Sequence, residues 1–262
     1  MEAAQRVALF YDRRKRALES GVPKSTIGTR KAGVKPKAMK SAIRPAPSTV
    51  PALTAEEACK LLPLPRSFYD RDPRKVSRDL LGKLLLRRHG NRVLAARIVE
   101  VEAYLGRNDP AAHSFAGRTV RNAALWGPPG VSYVYFIYGN HYCFNVSCLP
   151  DGEAGGVLFR ALEPLVGIAD MARARGIETS ALADLRQLTS GPGRLAEAFG
   201  ITRPRDNEKD LTSPESDLWI ADDGWPRPRV TITARIGITK AAEKPLRFIV
   251  AGNPFVSGRK SF

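Results

Sequence analysis

Cysteine, histidine and acid are all scarce in this chain of 262 residues. The three cysteines are Cys59, Cys143 and Cys148. An odd, low count without paired spacing excludes a disulfide framework and points to a reducing compartment. His141, Cys143 and Cys148 lie close in sequence, yet alternation puts His141 and Cys143 on one strand face and Cys148 on the other. No fourth ligand follows at a recognised spacing, so the expectation is no metal. No apolar run reaches the roughly 18 residues of a membrane helix, and none resembles a signal-peptide core. Neither membrane insertion nor secretion is expected, and no internal repeat is present. Acids number 26 against 42 Lys and Arg, a net charge of +16 with a pI of about 10.2. Such a surface attracts polyanions, nucleic acid first. A ribosomal or chromatin-type binder would share it, so composition names a partner class and no chemistry.

The charge is unevenly spread. Residues 1–52 carry 12 Lys and Arg and three acids, a net +9, with Pro36, Pro45, Pro47 and Pro51 breaking the segment. Few apolar clusters remain to build a core, so 1–52 reads as a disordered basic tail with at best a short helix near Ala8–Leu18. The same composition fits a transit peptide or a start codon assigned too far upstream.

A single domain is expected over 53–262. Thr54 and Glu57 have capping-box spacing for a helix through Leu62. Asp72-Pro73 supplies an N-cap and a first-turn proline for a helix carrying Val76, Leu80 and Leu81, with Gly82 as its stop. Residues 83–88 and 93–104 read as antiparallel strands joined through Gly90-Asn91. Residues 107–131 form a long loop with a helical turn near Asn122–Leu125. Further strands are expected at 156–162, 217–220, 229–238 and 246–250, and helices at 165–175, 184–188 and 194–199. Hairpin strands with helices elsewhere in the chain indicate an α+β fold with a curved, mostly antiparallel sheet.

Two segments carry chemistry. In Arg97-Ile-Val-Glu-Val-Glu-Ala-Tyr-Leu-Gly106, strand alternation puts Glu100, Glu102 and Tyr104 on one face with Ile98 beneath them. A solvated edge strand with incidental acids has the same spacing. In Ser132–Ser147, two aromatic and β-branched runs flank Gly139-Asn140, a two-residue hairpin signal. Tyr133, Tyr135 and Ile137 then share one face, and Tyr138 falls at the tip, where a bulky ring has little core to enter. Tyr133 reads as ordinary sheet packing. Gly191-Pro-Gly-Arg-Leu-Ala196 faintly resembles a helix-hairpin-helix turn, but the lysine or aspartate pattern required downstream is missing. Its glycines suit either a phosphate contact or a plain helix start.

These segments, with Ala112-His-Ser114, Phe144-Asn-Val-Ser147, Arg160-Ala-Leu-Glu-Pro-Leu165, Leu188-Thr-Ser-Gly-Pro-Gly-Arg-Leu195 and Lys244-Pro-Leu-Arg-Phe248, resemble the alkyladenine (3-methyladenine) DNA glycosylase family, in order, from about Phe68 to Val256. The resemblance implies a compact mixed domain, like the formyltransferase C-terminal domain, whose protruding hairpin enters DNA. It implies base flipping, in which the damaged purine is extruded and held in a pocket. Tyr138 matches the family's intercalating residue. Tyr104, His113 and Tyr135 match the stacking walls, and Asn145 the asparagine that crowds the amine of normal guanine. Arg160 matches an arginine near the lesion, and Arg118 and Arg121 fall where the family contacts the DNA backbone.

Glu102 matches the catalytic acid, which faces an oxocarbenium-like sugar and activates water. No lysine adjoins it, as befits a monofunctional enzyme rather than a Schiff-base lyase. Glu100 reads as a salt-bridged structural acid. The implied partner is double-stranded DNA with damaged purines, and the implied state a monomer without cofactor. The compartment would be cytoplasm or nucleoid in a bacterium and the nucleus in a eukaryote. A catalytically inactive nucleic-acid binder should have lost Glu102, Tyr138 or His113, and none is lost. A sugar hydrolase or formyltransferase-related enzyme would gain nothing from the basic surface and tip tyrosine.

Overall fold

The computed structural model describes residues 53–178 and 182–258; the basic tail and its expected helix near Ala8–Leu18 lie outside the described residues. Thr54 N–H donates to Glu57 Oε2 at 2.8 Å and Glu57 N–H to Thr54 Oγ1 at 3.2 Å. This reciprocal box starts the helix Ala55–Lys60, which stops two residues short of the expected Leu62. Asp72 accepts from the Arg74 N–H at 2.8 Å, and Pro73 opens the helix Pro73–Leu80. Further helices are Ile168–Arg175, Leu182–Thr189 and Pro192–Ala198, with single turns at Arg66–Tyr69 and Arg203–Asp206.

The described strands are β1 (Leu84–His89), β2 (Arg92–Tyr104), β3 (Ser132–Ile137), β4 (His141–Cys148), β5 (Gly155–Val166), β6 (Leu218–Ala221), β7 (Val230–Thr233) and β8 (Arg247–Val250). They form one sheet in the order β3-β4-β5-β2-β1-β6, with β8 beside β2 and β7 beside β8. Every ladder is antiparallel. The fold is α+β, with a curved, open sheet, as the residue pattern leads one to expect. β2 is its spine. Residues 92–97 pair with β1 and residues 100–102 with β8, while β5 runs along the other edge.

Four expectations need correcting. First, Ile98 does not lie beneath Glu100. Ile98 pairs with Leu162 and Glu100 with Ala161, which leaves Val99 as an extra residue in a bulge. A bulge breaks strict alternation. Ile98, Val99, Val101 and Ala103 all enter the main core, and Glu100, Glu102 and Tyr104 point the other way. On β5, Arg160 is the extra residue between Phe159 and Ala161. Second, β5 continues to Val166 instead of giving way to a helix at Leu165. The first half of β2 needs a partner on that edge, and Ala95 pairs with Val166 and Arg97 with Glu163.

Third, β7 stops at Thr233 instead of reaching Ile238. Residues 234–238 leave the sheet because Arg235 turns inward to Asp109. Fourth, the β3–β4 connection is longer than Gly139-Asn140. Ile137 pairs with His141, so Tyr138 belongs to the loop. Tyr138 and Gly139 both take positive φ, 55° and 72°, as the central positions of a type I′ turn require.

The core lies between one face of the sheet and the helices. Val76, Leu80, Met171, Leu188 and Leu195 from the helices, with Phe199 just after the last of them, meet Val101, Val134, Phe144 and Phe159 from the strands. Phe144 and Phe159 stack with ring centroids 4.8 Å apart. Each fully buried side chain of this size stabilises the fold by about 1.5–3 kcal/mol. The opposite face at the Tyr104 end of β2 is left for the site.

Candidate active site

A cavity of about 510 Å³ opens at that end of the sheet. This is a size suited to a small-molecule or base-sized group. Antiparallel pairing builds its walls: Tyr133 lies opposite Asn145, Tyr135 opposite Cys143, and Ile137 opposite His141, and all six side chains line it. Leu158 and Arg160 from β5 and Tyr104 from β2 complete the sheet side. The loop after β2 brings Ala111–Ser114 across the top. Gly106 starts that loop at φ +63°, and a Cβ there would lie 1.8 Å from the Ala154 carbonyl oxygen. The chain can turn so tightly only at glycine. Asn122 Nδ2 then donates to the carbonyls of His113 (2.9 Å) and Gly117 (3.0 Å), which holds the loop in place.

The aromatic side chains form one cluster. His113 lies edge-on to Tyr135 at 4.5 Å between centroids and shares a 2.9 Å hydrogen bond with the Tyr133 hydroxyl through Nδ1. Burial, with the nearby Arg121 charge, holds the His113 pKa below its ordinary value, so the ring is neutral at neutral pH. Burial likewise pushes Tyr135 and Tyr104 far up, which keeps both phenols protonated. Asn145 Nδ2 donates to the Tyr133 carbonyl at 3.0 Å, which fixes its amide against the wall.

Glu102 is fully buried directly behind the wall, and all its partners line the cavity. Its Oε2 accepts from the Tyr104 hydroxyl at 3.0 Å and its Oε1 from the Ile236 N–H at 2.8 Å. Arg160 Nη1 lies 3.3 Å from Oε1. Burial raises the Glu102 pKa; Arg160, the Ile236 N–H and Tyr104 pull it down by less, and Glu100 adds to the rise. Glu100 is equally buried. Its Oε1 accepts from Arg160 Nε (2.9 Å), Arg247 Nε (2.7 Å) and Ser257 Oγ (2.9 Å), and its Oε2 from the Ser257 N–H. Arg160 therefore spans both carboxylates, held by one and facing the other.

Of the residues singled out from the sequence, Tyr104, His113, Tyr135, Asn145, Arg160 and Tyr138 all line this cavity. Tyr138 stands at its mouth, 81% exposed. Arg118 and Arg121 are exposed on the overlying loop, and the Arg121 guanidinium lies 3.5 Å from the Phe136 carbonyl at the hairpin. Tyr133 does more than pack within the sheet, as the strand pattern suggests: it lines the cavity and bonds to His113.

The buried pair Arg235–Asp109 has no counterpart among the sequence expectations. Both side chains have no exposed surface, Arg235 Nη2 donates to Asp109 Oδ1 at 2.8 Å, and the guanidinium lies 4.6 Å over the Tyr104 ring. It fixes Tyr104 from behind and delivers the Ile236 N–H to Glu102. Arg247 and Ser257, the partners of Glu100, are equally unforeseen. No local signal reveals these pairs, because the partners are more than a hundred residues apart in the chain.

An aromatic cavity backed by a buried, arginine-flanked carboxylate suits chemistry on a planar group drawn out of bulk water. Comparison with known proteins identifies that chemistry. A family model described as methylpurine-DNA glycosylase matches residues 67–254. A protein of Koribacter versatilis, named "Putative 3-methyladenine DNA glycosylase", is 65% identical over 201 residues, 77% of this chain and 96% of the relative. Proteins with the same name from Burkholderia lata (47% over 196 residues, 74% of this chain and 91% of the relative) and Methanoculleus marisnigri (46% over 202, 75% and 99%) are also similar. The fold and these relatives define a DNA-repair enzyme, a hydrolase of N-glycosyl bonds whose substrate is damaged DNA. The chain belongs to the methylpurine-DNA glycosylase family.

Proposed function

We propose that this enzyme extrudes alkylated or deaminated purines from double-stranded DNA and hydrolyses their N-glycosidic bond with a water activated by Glu102. 3-Methyladenine, 7-methylguanine, hypoxanthine and ethenoadenine are the substrates in this reading. The observation that carries it is the setting of Glu102: fully buried behind the wall of an aromatic cavity, bonded to Tyr104 and Ile236 and flanked by Arg160, which all line that cavity.

The roles follow from position. Tyr138, at an exposed hairpin tip over the cavity mouth, fills the gap left in the base stack. Arg118 and Arg121 take phosphates beside it. The extruded base lies among Tyr104, Tyr135 and His113, whose π-faces favour a cationic alkylated purine, and Asn145 crowds the amine of normal guanine. The attacking water is taken up beside Glu102, next to Arg160 Nη1, which itself donates to the Ile236 carbonyl at 3.4 Å. As the glycosidic bond breaks, its electron pair leaves with the base and positive charge develops on the sugar, facing the carboxylate. The water oxygen bonds to C1′ and its proton passes to Glu102. A cationic base departs neutral, whereas hypoxanthine or ethenoadenine takes up a proton from solvent water as it leaves.

The enzyme acts as a monomer and needs no cofactor in this reading. Duplex oligonucleotides carrying hypoxanthine, ethenoadenine or 3-methyladenine test it by release of the base. The expected product is released base and an unnicked abasic strand. Release of no base would leave a DNA-binding protein without turnover, and a borohydride-trapped covalent adduct would contradict the water mechanism.

A further inference from the structure

A second cavity, of about 370 Å³, lies at the other end of β2. It is lined by Arg92 and Leu94 at the start of that strand, whereas the first cavity is reached at Tyr104. The strand between them spans roughly 40 Å at 3.3 Å per residue, so this cavity is no part of the glycosylase site. Leu94, Ala198 and Phe199 give it an apolar part, and Arg87, Arg92, Arg173 and Arg205, with Asp170 among them, give it a charged part.

We propose that this cavity is a binding site for a small phosphate monoester with a flat, apolar body, of the mononucleotide class. Three observations point to it. Arg87 is only 1% exposed, lines the cavity, and has no hydrogen-bond partner for its Nε among the described residues. A buried N–H left without an acceptor is costly, and a ligand oxygen would satisfy it.

The second observation is charge. Asp170 pairs with both Arg92 and Arg173, Asp206 with Arg87 and Lys209, and Asp217 with Arg87, Arg205 and Lys209. Among the described residues, five cations, four of which line the cavity, therefore share three carboxylates, of which only Asp170 lines it. This leaves a surplus of two positive charges across the network. A phosphate monoester carries about −1.5 to −2 at neutral pH, which matches that surplus. Planar guanidinium groups also pair with phosphate through two parallel hydrogen bonds.

The third is size. The cavity falls at the small end of ligand pockets, about 300–1,000 Å³, so it suits one base-sized body and not a strand of nucleic acid.

Calorimetric titration of the full chain with adenosine 5′-monophosphate, adenosine and inorganic phosphate tests the proposal. Arg92 and Arg173 are largely exposed, so R92E and R173E should fold normally. The monophosphate should bind more tightly than either fragment. Each variant should weaken it by about tenfold or more, the loss expected for one charge-assisted hydrogen bond. Hypoxanthine excision by R92E and R173E should remain at the wild-type rate, and Tyr135→Ala, which alters the base pocket, should leave monophosphate affinity intact. No binding of the monophosphate, equal binding by wild type and the arginine variants, or loss of binding in Tyr135→Ala alone would overturn the proposal.

Discussion

Glu102 and Glu100 sit two residues apart on one face of β2, both fully buried, with different surroundings. Glu102 has a raised pKa, chiefly from burial and only partly offset by Arg160. A general base works when ionised, so activity should fall as pH drops through that raised pKa. The acid limb of the single-turnover rate should therefore lie above about 4.3, the ordinary value for glutamate. A rate that stays flat down to that value would contradict the role. Glu100 instead accepts from Arg160, Arg247 and Ser257 and serves as an anchor. Glu100→Gln removes the charge between two largely buried arginines, a loss of about 3–5 kcal/mol. A clear drop in the urea midpoint is expected, with a smaller loss of excision rate than for Glu102→Gln. An unchanged midpoint would show that the two arginines do not depend on Glu100.

At the scale of elements, most strands and the hairpin are legible in the sequence, because each depends on local alternation and turn chemistry, whereas the meeting of Tyr135 with Tyr104 and His113 is implied only by the family resemblance. The bulge at Val99 is not. Two β-branched residues in succession look the same whether or not the strand stays regular, and only the mismatch with β5 reveals that Ile98 faces away from Glu100. The end of β7 is equally hidden, since Arg235 leaves the sheet for a partner, Asp109, on a distant loop. Tyr133 shows a third limit: parity places it beside Tyr135, but parity does not say whether a face is core or cavity. The hairpin tip carries its own prediction. Tyr138→Ser should slow excision most for well-paired lesions and less in mismatched DNA, where unstacking costs less. An equal loss in both contexts, in a comparison of single-turnover rates, would mean the substitution harms the fold instead of the wedge.

Across the whole molecule, charge and chemistry are assigned to different parts. Residues 1–52 carry +9 of the +16, whereas the described residues that line the aromatic cavity all fall between Tyr104 and Ile238. Removing 1–52 should preserve single-turnover excision at saturating enzyme. It should weaken non-specific DNA affinity and flatten its salt dependence, by about 0.9 in log–log slope for each DNA phosphate that the shortened chain no longer neutralises. A folded but inactive truncation would place part of the catalytic domain in that segment. The central claim, hydrolysis carried by Glu102, is tested most directly by single-turnover excision of hypoxanthine from duplex DNA by Glu102→Gln. The amide is nearly isosteric, so lesion binding should persist while the rate falls by about 10²–10⁴ or more. A Glu102→Gln enzyme that binds and excises at close to the wild-type rate would contradict it.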